Sequence, residues 1–511
     1  MSVLRAAALL IAILVLSITA PVEAMAPASP SAPPDPNQLY QAFNAAMDAD
    51  DFATAAEAGD QLAALQIFAQ QSDGLKYSLL SRLGYAHRRL DDTEMALALW
   101  DQAEPLTDHP GWLNYMRVYA YRSLGDWDQA FARLLILQTQ DEELFDAIQL
   151  PVMFEVVNEL ESAGNIEHQE ELLELMVSAY NPESPMTTLD YARLRLARIH
   201  ARAGDMATAL QQVQQIKRGP ALESIRTERL FEPLWSLEGF SQMTDPSAAL
   251  HTELEEALAV EAAHADLLEP LTSQVRVLLA LGRSAEAEAV ARSADARLRA
   301  GEAFLDTDEQ VSWLLNEWAY ALYALGRIEE GNETMRRAAN FTESGTANVS
   351  QTINLAEMLV YQQRPADALE VIELMNDRSA SPYGDMWAWE VQATARRQLG
   401  ELEASETILA NMAEHWRDNP SAYQKALISA GRIDEAAALL VRRLEDPEHA
   451  PGALAALQQY QPVFTTPALG LALEWAEQFH ALAQRPEVAA ALQPVGRIEQ
   501  SGLVNAYWGK F

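Results

Sequence analysis

The 511-residue chain contains no cysteine. That absence excludes disulfides, thiolate nucleophiles, cysteine-ligated zinc and a lipid-modified cysteine anchor together. Lysine is nearly missing as well: Lys76, Lys217, Lys425 and Lys510 are the whole set, so arginine carries almost all positive charge. Against 36 basic residues stand 74 acidic ones, a formal net charge of −38. So acidic a chain repels nucleic acid and anionic lipid unless arginine gathers on one face, and nucleic acid is not an expected partner. Enzyme signatures are missing too: there is no HExxH, GxSxG, phosphate-binding glycine loop or GxGxxG. The nine histidines are scattered. The nearest approach to a ligand set, His251, Glu255 and His264 in HTELEEALAVEAAH, reads as an exposed acidic helix. His87 and His200 read as packing residues. No catalytic residue, no metal site and no cofactor is therefore expected.

Long apolar runs are also absent, with one exception at the N-terminus. Arg5 precedes an apolar stretch over residues 6–20, followed by Val22-Glu23-Ala24. A positive residue, a core of this length and small residues at the last and third-last positions describe a secretory signal peptide. The stretch falls short of the roughly 20 residues a membrane-spanning helix needs. We therefore expect a signal peptide over 1–24, cleavage after Ala24, and no integral membrane span thereafter. The Pro/Ala/Ser-rich residues 25–37 read as a linker. The arginine- and alanine-rich composition points to a bacterial protein, and the leader to a periplasmic one. The three sequons at Asn332, Asn340 and Asn348 are assigned no role.

What the chain does have is a recurring phrase. LGDWDQAF at residues 124–131 returns as AGDMATAL, LGRSAEAEA, LGRIEEG, LGELEAS and AGRIDEAA. One turn per unit can be placed at Asp50, Asp91, Gly125, Gly164, Gly204, Thr244, Gly282, Gly326, Gln363, Gly400 and Gly431, with spacings of 31 to 44 residues. Helical periodicity flanks each turn on both sides. Glycine suits the left-handed residue that closes one helix, and an acidic residue after it suits the start of the next. Seven residues before and five after the turn lie small or modest side chains: Gly84 with Ala96, Val118 with Ala130, Ala197 with Ala209, Ala319 with Gly331, Ala356 with Ala368. Small residues facing each other let antiparallel helices approach near the lower end of the ~8–10 Å packing range. A single such hairpin cannot bury its apolar side, so neighbours must stack.

This pattern resembles the tetratricopeptide repeat. LGYAHRRLDDTEMALALWDQAEPL, residues 83–106, carries the resemblance through Leu83-Gly84, Ala96, Trp100, Ala103 and Pro105. VYAYRSLGDWDQAF carries it through Tyr121, Gly125, Trp127 and Ala130. The resemblance implies an all-α chain: a right-handed α-solenoid of about eleven hairpins over 38–445, with a C-terminal helical cap over 446–500. The tail, 501–511, ends in Tyr507, Trp508 and Phe511 and is expected to fold back on the cap, the alternative being a free partner peptide.

The resemblance also implies a binding face along the first helix of each unit. On the unit ending at Gly125, Trp112, Tyr115, Tyr119 and Arg122 recur at helical steps on one face. Trp313, Asn316, Tyr320 and Tyr323 repeat this before Gly326. Between them lie Tyr191, Arg195, Arg198 and Arg202, and Arg88 and Arg89 occupy the matching place one unit earlier. Aromatic platforms with guanidinium donors suit an extended peptide or a glycan. Packing of the aromatics between hairpins, with arginines offsetting neighbouring acids, accounts for the same residues. Two functions follow. The first is a non-catalytic scaffold binding proteins in a bacterial envelope, in secretion, polysaccharide export or energy transduction. The second is a soluble periplasmic receptor for a peptide, glycan or small ligand.

Overall fold

The computed structural model describes residues 35–342, 348–375 and 380–504. The expected signal peptide, its cleavage point, all but the last residues of the linker, and Tyr507, Trp508 and Phe511 lie outside the described residues. No helix among the described residues is long and apolar enough to cross a membrane.

The recurring phrase is a helix-to-helix turn. Gly125 adopts φ 70°. Its N–H bonds to the Arg122 carbonyl at 3.1 Å and that of Asp126 to the Tyr121 carbonyl at 3.0 Å, closing the helix Gly111–Leu124. The Asp126 carboxylate then accepts from the Gln129 N–H at 3.2 Å and caps the helix Trp127–Gln140, a bond that satisfies an otherwise orphaned donor. Asp51, Asp92, Asn165 and Asp205 repeat that cap. Left-handed φ values of 56° to 82° occur at Asp50, Asp91, Gly125, Gly164, Gly204, Gly282, Gly326, Gln363, Gly400 and Gly431, and these ten turns each join two antiparallel helices.

In the later turns a second chemistry replaces the aspartate cap. Arg283, Arg327, Arg364 and Arg432 occupy the N-cap without a capping bond. Each instead pairs with a carboxylate three residues on: Glu286, Glu330, Asp367 and Glu435. Three of them also reach back to the previous hairpin, Arg327 to Glu288 at 3.0 Å, Arg364 to Glu329 at 3.6 Å and Arg432 to Glu406 at 3.5 Å. The arginine thus ties its own turn to its neighbour.

The expected hairpin at Thr244 does not form. Thr244 ends a short helix, Phe240–Met243, at φ −106°. Residues around it run as the helix Gly219–Thr227, a 3-10 turn Arg229–Leu234 and the long helix Pro246–Ala263. Pro220 and Pro246 set helix starts and Pro233 lies in the 3-10 turn; proline lacks the donor that a continuous helix requires there. Among the described residues ten of the eleven expected turns form, and an irregular segment stands at the remaining place.

The chain forms two compact units, the first ending at Leu144 and the second beginning at Phe145. In the first, Phe43, Leu83, Trp100 and Leu113 are fully buried. The Trp100 indole donates to the Ser81 carbonyl at 3.1 Å. A methyl group on Gly84 would come within 2.4 Å of that indole. The small residue therefore makes room for a large one across the hairpin, and does not simply meet Ala96. Arg117, fully buried, is held by Asp101 at 2.7 Å and Glu104 at 2.9 Å.

In the second unit the C-terminal segment does more than cap the last hairpin. The helices Ala450–Ala456, Gly470–Leu482 and Pro486–Val495 pack in part on the final hairpins. A short parallel ladder pairs β1, Gln459–Gln461, with β2, Gln500–Val504. The same segment also returns to the irregular stretch. Arg226 pairs with Glu499 at 2.9 Å, the Arg497 N–H bonds to the Thr227 carbonyl at 2.9 Å, and the Arg497 guanidinium lies 3.7 Å from the Trp235 ring. Tyr460 donates to Glu223.

Candidate functional site

On the helix Gly111–Leu124, Leu113, Met116 and Ala120 face the core. Trp112, Tyr115 and Tyr119 take the adjoining face and stay half-buried. Trp112 stacks on Tyr115 at 5.7 Å with rings 18° apart, and Tyr115 meets Tyr119 at 5.2 Å. Burial and the bond with Tyr119 push the Tyr115 phenol well above its usual range, so it stays neutral. Arg122 is exposed at the end of the same helix. Arg88 sits 3.9 Å from Asp91. Arg89 is a packing group: it lies over the Phe52 ring at 4.5 Å and donates to the Tyr85 hydroxyl at 3.0 Å.

In the second unit the expected stripe on the helix Asp190–Arg202 divides. Tyr191 and Arg202 are exposed. Arg195 faces Glu161 at 3.5 Å, and Arg198 is clamped by Glu228, with Nε 2.9 Å from a carboxylate oxygen. Arg198 therefore holds the irregular segment in place and is not offered to a ligand. Near it, Glu170 and Glu174 bring carboxylates within 4.8 Å of His200. Glu174 is exposed, and the His200 Nδ1 lies 3.5 Å from a Glu170 carboxylate oxygen.

The third stripe requires a correction. On the helix Thr307–Ala324, Asn316, Tyr320 and Tyr323 are buried. Phe464, from the C-terminal segment, stacks on Tyr320 at 6.3 Å and meets Tyr323 edge-on at 6.3 Å. Asn316 accepts from Asn354 at 2.8 Å, and the Tyr323 hydroxyl donates to Asn332 at 3.0 Å. Spacing placed these residues on one face correctly. It gave no sign that a segment from beyond residue 450 would cover that face.

That cover extends over a polar cluster that sequence reasoning missed. Lys425, only 3% exposed at its side chain, pairs with Glu357 and, at 3.5 Å, with Glu390. Its ammonium lies 4.7 Å from the Tyr361 ring and 5.4 Å from that of Trp387. Thr394 donates to Glu390 at 3.0 Å, and the Lys425 carbonyl accepts from the Trp475 indole at 3.2 Å. Burial alone would depress the lysine; Glu357 and then Glu390 reverse that and hold it well above the usual lysine range. Burial pushes Glu390 up. The one available signal was a rare lysine inside the otherwise uncharged helix Pro420–Ser429.

Between the helices Glu269–Ala280 and Thr307–Ala324 the first-helix face stays open. A cavity of about 290 Å³ is lined by Glu269, Thr272, Ser273, Arg276, Trp313 and Glu317 among others. Trp313 is the one member of the third stripe to reach a cavity wall. Glu317 is 8% exposed, and its Oε2 has no hydrogen-bond partner. Burial pushes its carboxyl up to about 7, against the pull of Arg276.

Paired antiparallel helices with left-handed turns, small residues at fixed places and polar first-helix faces define a helical-hairpin repeat protein. One of these hairpins matches a known repeat family. The tetratricopeptide repeat family matches residues 269–293, the hairpin that turns at Gly282 and forms one wall of the cavity. Among solved structures, yeast Tom70 is similar at 11% identity and a TM-score of 0.31, over 90% of this chain and 99% of that one. The APC/C hetero-tetramer Cut9-Hcn1 is similar at 12% identity and a TM-score of 0.29, over 90% of this chain and 96% of that one. No curated protein matches the chain.

Proposed function

We propose that the protein is a non-catalytic scaffold that binds other proteins, exported through a cleaved leader and working in the periplasm of a bacterial envelope. Secretion, polysaccharide export and energy transduction assemblies are the settings that suit it. The observation that carries the reading is the stack of Trp112, Tyr115 and Tyr119, whose rings remain half-exposed on a first helix while its aliphatic neighbours are buried. Rigid aromatic surface of this kind supplies most binding energy at protein interfaces. Affinity capture with the mature protein is expected to recover a reproducible envelope partner, and the Trp112→Ala/Tyr119→Ala double variant to lose most of it. Undiminished recovery by a folded double variant removes the stack from the binding face. Intact mass from an envelope fraction is expected to begin at Met25, and a full-length, membrane-held chain contradicts export with cleavage.

A second reading, a soluble receptor, is favoured by one feature, the cavity beside Trp313 and Glu317. A ligand selective for the folded state raises the melting temperature. A panel of peptides and wall oligosaccharides producing no shift counts against that reading.

A further inference from the structure

The first-helix face of the second unit is closed over Lys425 and open over Glu317. The two places treat charge in opposite ways. Around Lys425 the ammonium and the carboxylates of Glu357 and Glu390 satisfy one another within the chain. Around Glu317 one carboxylate oxygen is buried without a donor. Leaving such an oxygen unpaired costs on the order of 1–3 kcal/mol or more, and a donor arriving from outside recovers it.

Three further features define that donor. Its charge is positive: the cavity holds two carboxylates, Glu269 and Glu317, against the single guanidinium of Arg276. Arg276 is already drawn to Glu253 at 3.9 Å and bonds to the Ser273 hydroxyl at 3.3 Å. Its seat is aromatic, since the Trp313 indole forms one wall, and an indole face attracts a desolvated cation by roughly 0.5–2 kcal/mol. Its size is small: about 290 Å³ lies at the lower end of ligand cavities and holds one side chain. Long-range attraction favours the same ligand, because a chain of net charge −38 steers basic partners toward itself.

We propose that this cavity receives a single basic side chain, arginine or lysine, projected by a partner polypeptide, with Glu317 as the pairing carboxylate and Trp313 as the platform. The inference rests on the protein-binding reading and gives it a ligand chemistry at a second place, away from the Trp112 stack. Pairing requires ionised Glu317, so binding releases a proton and strengthens as pH rises through about 7. The charged groups facing that carboxylate are Glu269 and Arg276 on the neighbouring helix and Glu253 behind Arg276; beyond Tyr320 lies Glu357.

The test is calorimetric titration of the full mature chain with acetyl-Ala-Arg-Ala-amide, its lysine and citrulline analogues, and acetyl-Ala-Glu-Ala-amide. Saturable binding of the arginine or lysine peptide is expected in roughly the millimolar range, about eight- to tenfold tighter at pH 8 than at pH 6. The neutral citrulline peptide is expected to bind at least tenfold more weakly. Glu317→Gln keeps the shape and is expected to abolish both the charge preference and the pH dependence. Trp313→Leu, which leaves the carboxylate in place, is expected to weaken the arginine peptide severalfold. Equal binding of citrulline and arginine, wild-type affinity in a folded Glu317→Gln, preference for the acidic peptide, or no binding of any peptide overturns the proposal. Because these readouts do not involve the Trp112 stack, such failure with partner capture intact leaves the scaffold reading standing. Failure of the wild-type chain to capture any reproducible partner, with peptide binding intact, does the reverse.

Discussion

Glu317 and Lys425 show how a single buried charge is treated at the residue scale. Lys425 stays charged because two carboxylates surround it. Glu317 has only the weaker pull of Arg276 and Asn316, and burial lifts its carboxyl from 4.5 to about 7. An acid whose folded value is raised contributes its full stability below its unfolded value and loses it as pH rises through the folded one. Wild-type protein is therefore expected to lose up to about 3 kcal/mol between pH 4.5 and pH 8 through this residue alone. Glu317→Gln has no proton to lose. In urea unfolding, the variant is expected to match wild type near pH 4 and exceed it at pH 8. Parallel pH profiles for the two proteins would exclude a buried titration at this position. The sequence made Trp313 legible, because large aromatics at helical steps are visible. Glu317, four residues on, read as one of many acids, since its burial is fixed by a neighbouring helix.

At the scale of the element, the turn was the most legible feature of the chain. Glycine and aspartate mark left-handed positions because only glycine, asparagine and aspartate adopt them at low cost. Gln363 has the same conformation at φ 57° without that chemistry. Other residues pay about 1–2 kcal/mol there, so Gln363→Gly is expected to raise stability by about 1 kcal/mol in thermal or urea unfolding. A neutral or negative effect would mean that the glutamine side chain itself supports the turn. The Thr244 turn was misread because spacing alone nominated it. The prolines at 220, 233 and 246 broke the segment into short pieces and were the better guide. The arginine turns were visible as LGRSAEAE, LGRIEEG and AGRIDEAA, but the second bond that Arg327 and Arg432 make, to the preceding hairpin, needs the neighbour's position and is not written in any local stretch.

At the scale of the whole molecule, repeat periodicity showed which neighbours stack and left out everything that skips neighbours. Stacked repeats ordinarily touch only the next in line. Here residues near 223–235 meet residues near 460–499, a pairing with no periodic signature. Removing residues 446–511 is therefore expected to reach beyond the last hairpin. Amide exchange in 219–235 should accelerate at least tenfold, although those amides lie more than two hundred residues from the cut. Exchange that changes only next to residue 445 would reduce the segment to a simple end cap.

The order of synthesis gives this closure a further consequence. Each hairpin is complete soon after its second helix leaves the ribosome, and could settle on the one before it. Glu499, which latches onto Arg226, is synthesised 273 residues after it. Until then the polypeptide cannot finish the second unit, whose earliest irregular stretch has to wait for residues 460–499.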